Sequence, residues 1–188
     1  MRPFVGGRVL EIGSGTGGMS RKLIGSKALV VTDTPRAYRD LLGRLFSHYD
    51  HVRVAPLTLG APAPELAGER FDTVVCANVL EHVEDDAAAL AQMHDLLAPN
   101  GRLVLLVPML QALYGEIDRA IHHHRRYERG DVEAKLAKAG FSIEHVQPMN
   151  ALGIPGWWLN SVVLKRRAVP GIQARINGLS EPWVIQAL

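Results

Sequence analysis

The sequence contains one cysteine, Cys76, which excludes an internal disulfide and fits a reducing cytoplasm. No apolar run reaches the roughly 20 residues needed to cross a bilayer. No signal-peptide pattern stands before the first strand, so a cytoplasmic protein is expected. Charge of one sign is scarce: the formal net charge is +2, too small by itself to argue for nucleic acid or a membrane. Aromatic residues make up only 6%, with no continuous basic stripe or stacking series beside them, and no nucleic-acid partner is expected. There is no internal repeat. What is present is 188 residues, 47% of them hydrophobic, enough for one domain with a buried core.

Strand-like and helix-like stretches alternate from the start, the pattern of an α/β domain with a parallel sheet. Strands are expected at 9–12, 28–32, 51–55, 71–76, 102–107 and 141–147. Helices are expected at 18–24, from 35 (capped by Thr34, with Pro35 first), at 84–97 and at 130–139, the last closed by Gly140. The helix after Pro35 carries Tyr38, Leu41, Leu42, Leu45 and Phe46 on one face. Residues 109–128 have no clean period and hold a histidine and arginine cluster. The segment 154–164 is apolar and ends in Lys165-Arg166-Arg167. A core-packing helix is the favoured reading of it, with a hydrophobic wall of a substrate pocket and a shallow membrane-docking segment as the alternatives.

The first strand runs into Gly13-Ser14-Gly15-Thr16-Gly17, a turn with no side chains to keep a ligand off its backbone. The helix behind it presents free N–H groups. Gly13-x-Gly15-x-x-Gly18 also matches the dinucleotide fingerprint, with Asp33 near the acidic position that holds a ribose. Three features weigh against a nicotinamide ligand. Glu11 places a carboxylate inside the strand, where a ligand ammonium is one group able to answer it. A Tyr-x-x-x-Lys pair is absent. The third feature is a likeness.

The segments Val9-Leu-Glu-Ile-Gly-Ser-Gly-Thr-Gly17, Phe71-Asp-Thr-Val-Val-Cys-Ala-Asn-Val-Leu-Glu-His82 and Leu97-Ala-Pro-Asn-Gly-Arg-Leu-Val-Leu-Leu-Val-Pro108 resemble motifs of the class I S-adenosylmethionine-dependent methyltransferases, in that family's order. The resemblance covers roughly residues 8–150. It implies a doubly wound, mostly parallel Rossmann-like sheet with helices on both faces, and S-adenosylmethionine as the cofactor. It implies that Gly13, Ser14, Gly15 and Gly17 lie against the methionine part and that Glu11 orients the loop and the cofactor's amino group. By the same carry-over Asp33 grips the ribose, and Asn78 and Val79 line the methyl end. Where the family often places an acid near the adenine, this chain has Leu57-Thr58-Leu59, so Thr58 is left as the side-chain acceptor there and weaker or backbone-based adenine recognition is expected.

Two histidines compete for the role of base at the acceptor. His82 closes the segment after the fourth strand. His123 lies in a stretch that resembles the family's His-x-Arg-Arg-Tyr segment. Structural roles remain open for both, a helix start for His82 and a loop-fixing hydrogen bond for His123. His122 and His124 are read as solvent-facing. Arg125 and Arg126 are read either as grips for an anionic acceptor or as a solvated basic loop. Some relatives hold a divalent ion with Glu-x-x-Glu-His. Here the first position is Asn78, which weakens a hard-cation site, and no metal is expected.

The expected organisation is a cofactor-binding core over 1–150 and a helical, apolar-then-basic extension over 151–188. The family's usual N-terminal helices and its last antiparallel strand are expected to be missing, with 171–188 reading better as helix. The function implied is methyl transfer to a small-molecule or lipid-linked acceptor at oxygen or nitrogen. Peripheral membrane contact through 154–167 and the oligomeric state stay open. The alternatives are a cofactor-binding domain without catalysis and, further off, an NAD-dependent oxidoreductase.

Overall fold

The computed structural model describes residue 5 and residues 7–148, 154–168 and 184–187. Its strands are β1 (Arg8–Ile12), β2 (Ala28–Thr32), β3 (Val52–Ala55), β4 (Phe71–Ala77), β5 (Leu97–Leu106), β6 (Ile143–Gln147) and β7 (Val184–Ala187). The helices are α1 (Ser20–Leu23), α2 (Arg36–Leu45), α3 (Asp86–Asp95), α4 (Glu116–Ala120), α5 (Arg129–Lys138) and α6 (Ile154–Trp157), which continues as a π-helical stretch over Trp158–Val163.

All seven strands form one sheet in the order β3-β2-β1-β4-β5-β7-β6. The first five are parallel, and β7 runs antiparallel between β5 and β6. The order reverses between β1 and β4, which makes the C-terminal ends of those strands the place for a ligand crevice. Alternation along each strand feeds two cores. Leu10, Ile12 and Val30 join Leu90 and Met93 of α3 and Val132 and Leu136 of α5 on one face. Val9, Leu29 and Val31 join Leu23 of α1 and Leu42 of α2 on the other. A sheet covered on both sides explains why its strands read as continuous apolar runs.

The last strand is present, contrary to the sequence expectation of helix over 171–188. Four residues are too few to show an alternation of their own. Val184–Ala187 is a strand because both its edges are paired, Leu106↔Val184 on one side and Gln147↔Val184 on the other. The part of that expectation concerning 171–183 lies outside the described residues. The α2 start also differs. Pro35 is its N-cap rather than its first residue. The Thr34 hydroxyl turns away to donate to the Leu57 carbonyl at 3.0 Å.

Candidate active site

The glycine turn is tied down from below. Glu11 is buried, and its Oε2 accepts from the hydroxyls of Ser14 (3.0 Å) and Ser20. The Ser14 hydroxyl in turn accepts from the Thr32 N–H at 3.2 Å, and Asp33 Oδ2 accepts from the Gly15 N–H at 2.7 Å. The loop is thereby pinned at the last residue of β2 and at the residue that follows it. Burial pushes the Glu11 carboxyl above its ordinary value, against the pull of the Ser20 and Ser14 hydroxyls. The carboxylate whose partner the sequence left open is answered by two serines of the same turn and helix.

The three glycines do different work. All have positive φ: +70° at Gly13, +52° at Gly15 and +80° at Gly17. A Cβ at Gly13 would lie 2.3 Å from Val79 Cγ2, so here the turn meets the far side of the crevice. A Cβ at Gly17 would lie 2.7 Å from Leu45 Cδ2, so this glycine is pressed on α2. Nothing lies within 4 Å of a Cβ at Gly15, which leaves that part of the backbone open to a ligand.

A cavity of about 370 Å³ opens beside the turn. Among the expected cofactor residues, Gly13, Asp33, Thr58 and Val79 line it; Leu57 and Leu59 add an apolar wall where an adenine acid is lacking. Thr34 and Thr58 share a hydroxyl hydrogen bond of 3.1 Å at this wall. Asn78 stands just behind Val79 in a left-handed conformation (φ +53°), its N–H bonded to the Leu106 carbonyl, and is not among the lining residues. His82 and His124 line the other side of the cavity, so His124 is exposed yet faces the pocket mouth.

The one-turn 3-10 helix Leu80–His82 splits two neighbours, turning Glu81 inward and His82 outward. His82 and His123 meet edge to face with ring centroids 4.6 Å apart. Each ring is fixed at Nδ1, in His82 by the His122 carbonyl (3.2 Å) and in His123 by Asp118 Oδ1 (3.0 Å). Asp118 is itself fully buried and also receives Arg126 Nε (2.8 Å) and the Gly115 N–H (3.0 Å). Burial, with the His123 charge second, holds His82 below its ordinary pKa.

Glu81 is the odd member. It is fully buried, neither carboxylate oxygen has a hydrogen-bond partner among the described residues, and His123 Nε2 approaches Oε1 at 3.7 Å. Burial raises its pKa to about 8. Such a group is costly unless a ligand completes it.

Neither arginine is free to grip an acceptor anion. Arg125 Nη1 pairs with Asp86 Oδ2 (2.8 Å) and Arg126 with Asp118, the latter guanidinium lying 4.5 Å from the centre of the Trp157 ring. Asp86, at the start of α3, also holds Lys135 Nζ (2.6 Å) and the Tyr127 hydroxyl (3.1 Å). Sequence reasoning assigned no role to Asp118 or Asp86. Asp118 stands five residues before His123 in the same segment, and that spacing was its only signal.

A glycine turn closed by an acid after β2, at the switch point of a doubly wound sheet, defines a nucleoside-cofactor domain. The family model described as "Methyltransferase domain" matches residues 2–149. The chain belongs to the class I S-adenosylmethionine-dependent methyltransferases. It is 29% identical over 175 residues to a ubiquinone biosynthesis O-methyltransferase of Azorhizobium caulinodans, covering 84% of this chain and 68% of that one. It is 35% identical over 100 residues to the protein of the same name from Ruegeria pomeroyi, covering 53% of this chain and only 40% of the relative. Its fold matches the structure of an S-adenosylmethionine dependent methyltransferase from Mesorhizobium loti with a TM-score of 0.71 at 18% identity, over 98% and 92% of the two chains. No helix among the described residues is long and apolar enough to cross a membrane.

Proposed function

We propose that the protein moves the methyl group of S-adenosylmethionine to a hydroxyl oxygen of a small or lipid-linked acceptor, with His123 as base and Asp118 as the residue that positions it. The observation that carries this reading is the Asp118–His123 pair, beside the buried Glu81 carboxyl and packed behind His82, the histidine that lines the cavity opened by the glycine turn. The names of the two relatives support oxygen as the methylated atom.

When bound, S-adenosylmethionine supplies an electrophilic methyl carbon on a cationic sulfur. The chain's own part is alignment and proton handling. Gly13, Gly15 and Asp33 seat the nucleoside and methionine parts, with Ser14, Gly17 and Glu11 holding that seat from behind. Thr58 meets the adenine side, while Val79, with Asn78 behind it, borders the methyl end. Asp118 keeps the His123 proton on Nδ1, so that Nε2, which faces Glu81 Oε1 at 3.7 Å, would take the proton of an acceptor hydroxyl entering past His82 as the oxygen attacks. His82 packs against His123 and narrows the mouth. Peripheral membrane contact through 154–167 belongs to this reading, since it would bring a lipid-linked acceptor to that mouth.

Calorimetry with S-adenosylmethionine, S-adenosylhomocysteine and NAD tests the cofactor reading. Micromolar binding of the first two and none of NAD is expected; the reverse overturns it. Binding without transfer to any of a panel of phenolic, catecholic and prenylated acceptors favours a binding domain without catalysis.

A second reading rests on Glu81, His82 and His123, whose ligand atoms lie within 4.8 Å of one another. With both rings pinned at Nδ1, these residues also suit a divalent ion placed over the acceptor hydroxyl. Transfer that survives exhaustive chelation removes that reading, and transfer restored by one added ion favours it.

A further inference from the structure

The segment from α6 through Val163 is packed with its polar side inward. Ser161 is buried, and its hydroxyl accepts from the Ile117 N–H at 3.3 Å. A Cβ at Gly115 would lie 2.4 Å from the same hydroxyl, so α4 and this segment meet almost backbone to backbone. The outward side is apolar: Trp158, Leu159, Val163 and Leu164 are 46–49% exposed.

The π-helical register makes these four residues one face. Hydrogen bonds from i to i+5 widen the turn to about 4.4 residues, which stacks 158 near 163 and 159 near 164, on the side away from Ser161. A helix anchored by serine and showing tryptophan and three aliphatic side chains to solvent has the inverse of ordinary amphipathicity. The core-packing role expected from the sequence is therefore not what this face does.

Charge says what the face fits. Lys165, Arg166 and Arg167 follow at once and are exposed, and no acidic residue occurs in the sequence between Glu144 and Glu181. The Arg167–Glu116 approach of 3.6 Å leaves the arginine side chain 83% exposed, a contact too open to neutralise it. An apolar face rimmed by cations matches the headgroup boundary of an anionic bilayer.

We propose that this face docks the protein on an anionic lipid bilayer, with Trp158, Leu159, Val163 and Leu164 entering the headgroup boundary and the three cations meeting lipid phosphates. The inference deepens the reading of a lipid-linked acceptor and rests on it only for its purpose. The docked segment belongs to the same packed unit as the acceptor side, because Trp157 stacks under Arg126 and Arg126 holds Asp118.

The test is co-sedimentation of the full chain with phosphatidylcholine vesicles, with and without phosphatidylglycerol. Binding is expected to the anionic vesicles only. The double variant Trp158→Ser/Leu159→Ser is expected to bind at least about 10-fold more weakly, since two large apolar side chains no longer enter the boundary. The double variant Lys165→Glu/Arg166→Glu is expected to lose binding as well, with S-adenosylhomocysteine affinity unchanged in both as the check on folding. No sedimentation with anionic vesicles overturns the proposal. So does binding that survives the serine variant, which is general basicity, or a concentration-dependent dimer that the serine variant abolishes, which gives the face to a second copy. Vesicle binding without any methyl transfer leaves docking standing and removes the enzymatic reading, and transfer without vesicle binding does the opposite.

Discussion

The two sides of the crevice, proposed above to hold the cofactor and the acceptor, are built on different terms. On the cofactor side, left-handed backbone falls on glycine at 13, 15 and 17, where it carries no Cβ penalty. On the acceptor side it falls on Asn78, Leu110 and His122, of which Leu110 is the side chain that disfavours it most, at about 1–2 kcal/mol. The buried acid of the cofactor side, Glu11, is answered by two hydroxyls, whereas that of the acceptor side, Glu81, is answered by none. One side is complete without its ligand; the other stores strain and an unpaired carboxyl that a bound acceptor or ion would relieve.

Removing the acceptor-side base should break the difference most visibly. His123→Ala is expected to cost about 10²–10⁴ in kcat, the usual reach of a positioned base, while the S-adenosylmethionine Kd stays within about twofold. A parallel loss in both would mean that the two sides are not separable. On the cofactor side, Gly13→Ala is expected to weaken cofactor binding by about 100-fold in calorimetry, because the new methyl drives Val79 into the cavity. Gly15→Ala, whose methyl meets no protein atom but enters the space left to the ligand, should weaken binding by at least about 10-fold, since roughly 1–2 kcal/mol of backbone strain is added to any contact with the ligand.

A smaller effect concerns the frame of the acceptor side. Burial raises the Asp86 carboxyl, but hydrogen bonds from Lys135 and Arg125 outweigh it and hold the group below its ordinary value. A depressed folded pKa contributes stability above the unfolded value that is lost as pH falls through the folded one. Urea unfolding should therefore show wild type more stable than Asp86→Asn by about 1–2 kcal/mol at pH 7, with the gap closing below about pH 4. A gap that does not change with pH would show that the carboxylate charge is not what binds α3 to α5.

The sheet and the glycine turn were legible in sequence because both are written locally. Alternating apolar runs dictated the sheet, and the glycine spacing with Asp33 marked the turn. The last strand was not legible, since Val184–Ala187 owes its conformation to β5 and β6 on either side. The partners of Glu11 stood in the sequence as Ser14 and Ser20, but only the packing of α1 against β1 brings both hydroxyls to one oxygen. Arg125 and Arg126 read as available cations because their counter-ions, Asp86 and Asp118, sit 39 and 8 residues away and are joined by the fold alone. The apolar tail read as core for the same reason: composition does not say which face of a helix meets the protein.

The most direct measurement compares unfolding free energies of two matched variants, Glu11→Leu and Glu81→Leu. Glu11→Leu strands two buried hydroxyls and is expected to destabilise the chain by about 2–3 kcal/mol. Glu81→Leu replaces an unpartnered buried acid with a side chain of similar volume and is expected to stabilise it by about 1 kcal/mol. Opposite signs are the predicted result. Destabilisation by both would contradict the claim that the cofactor side is complete and the acceptor side is not.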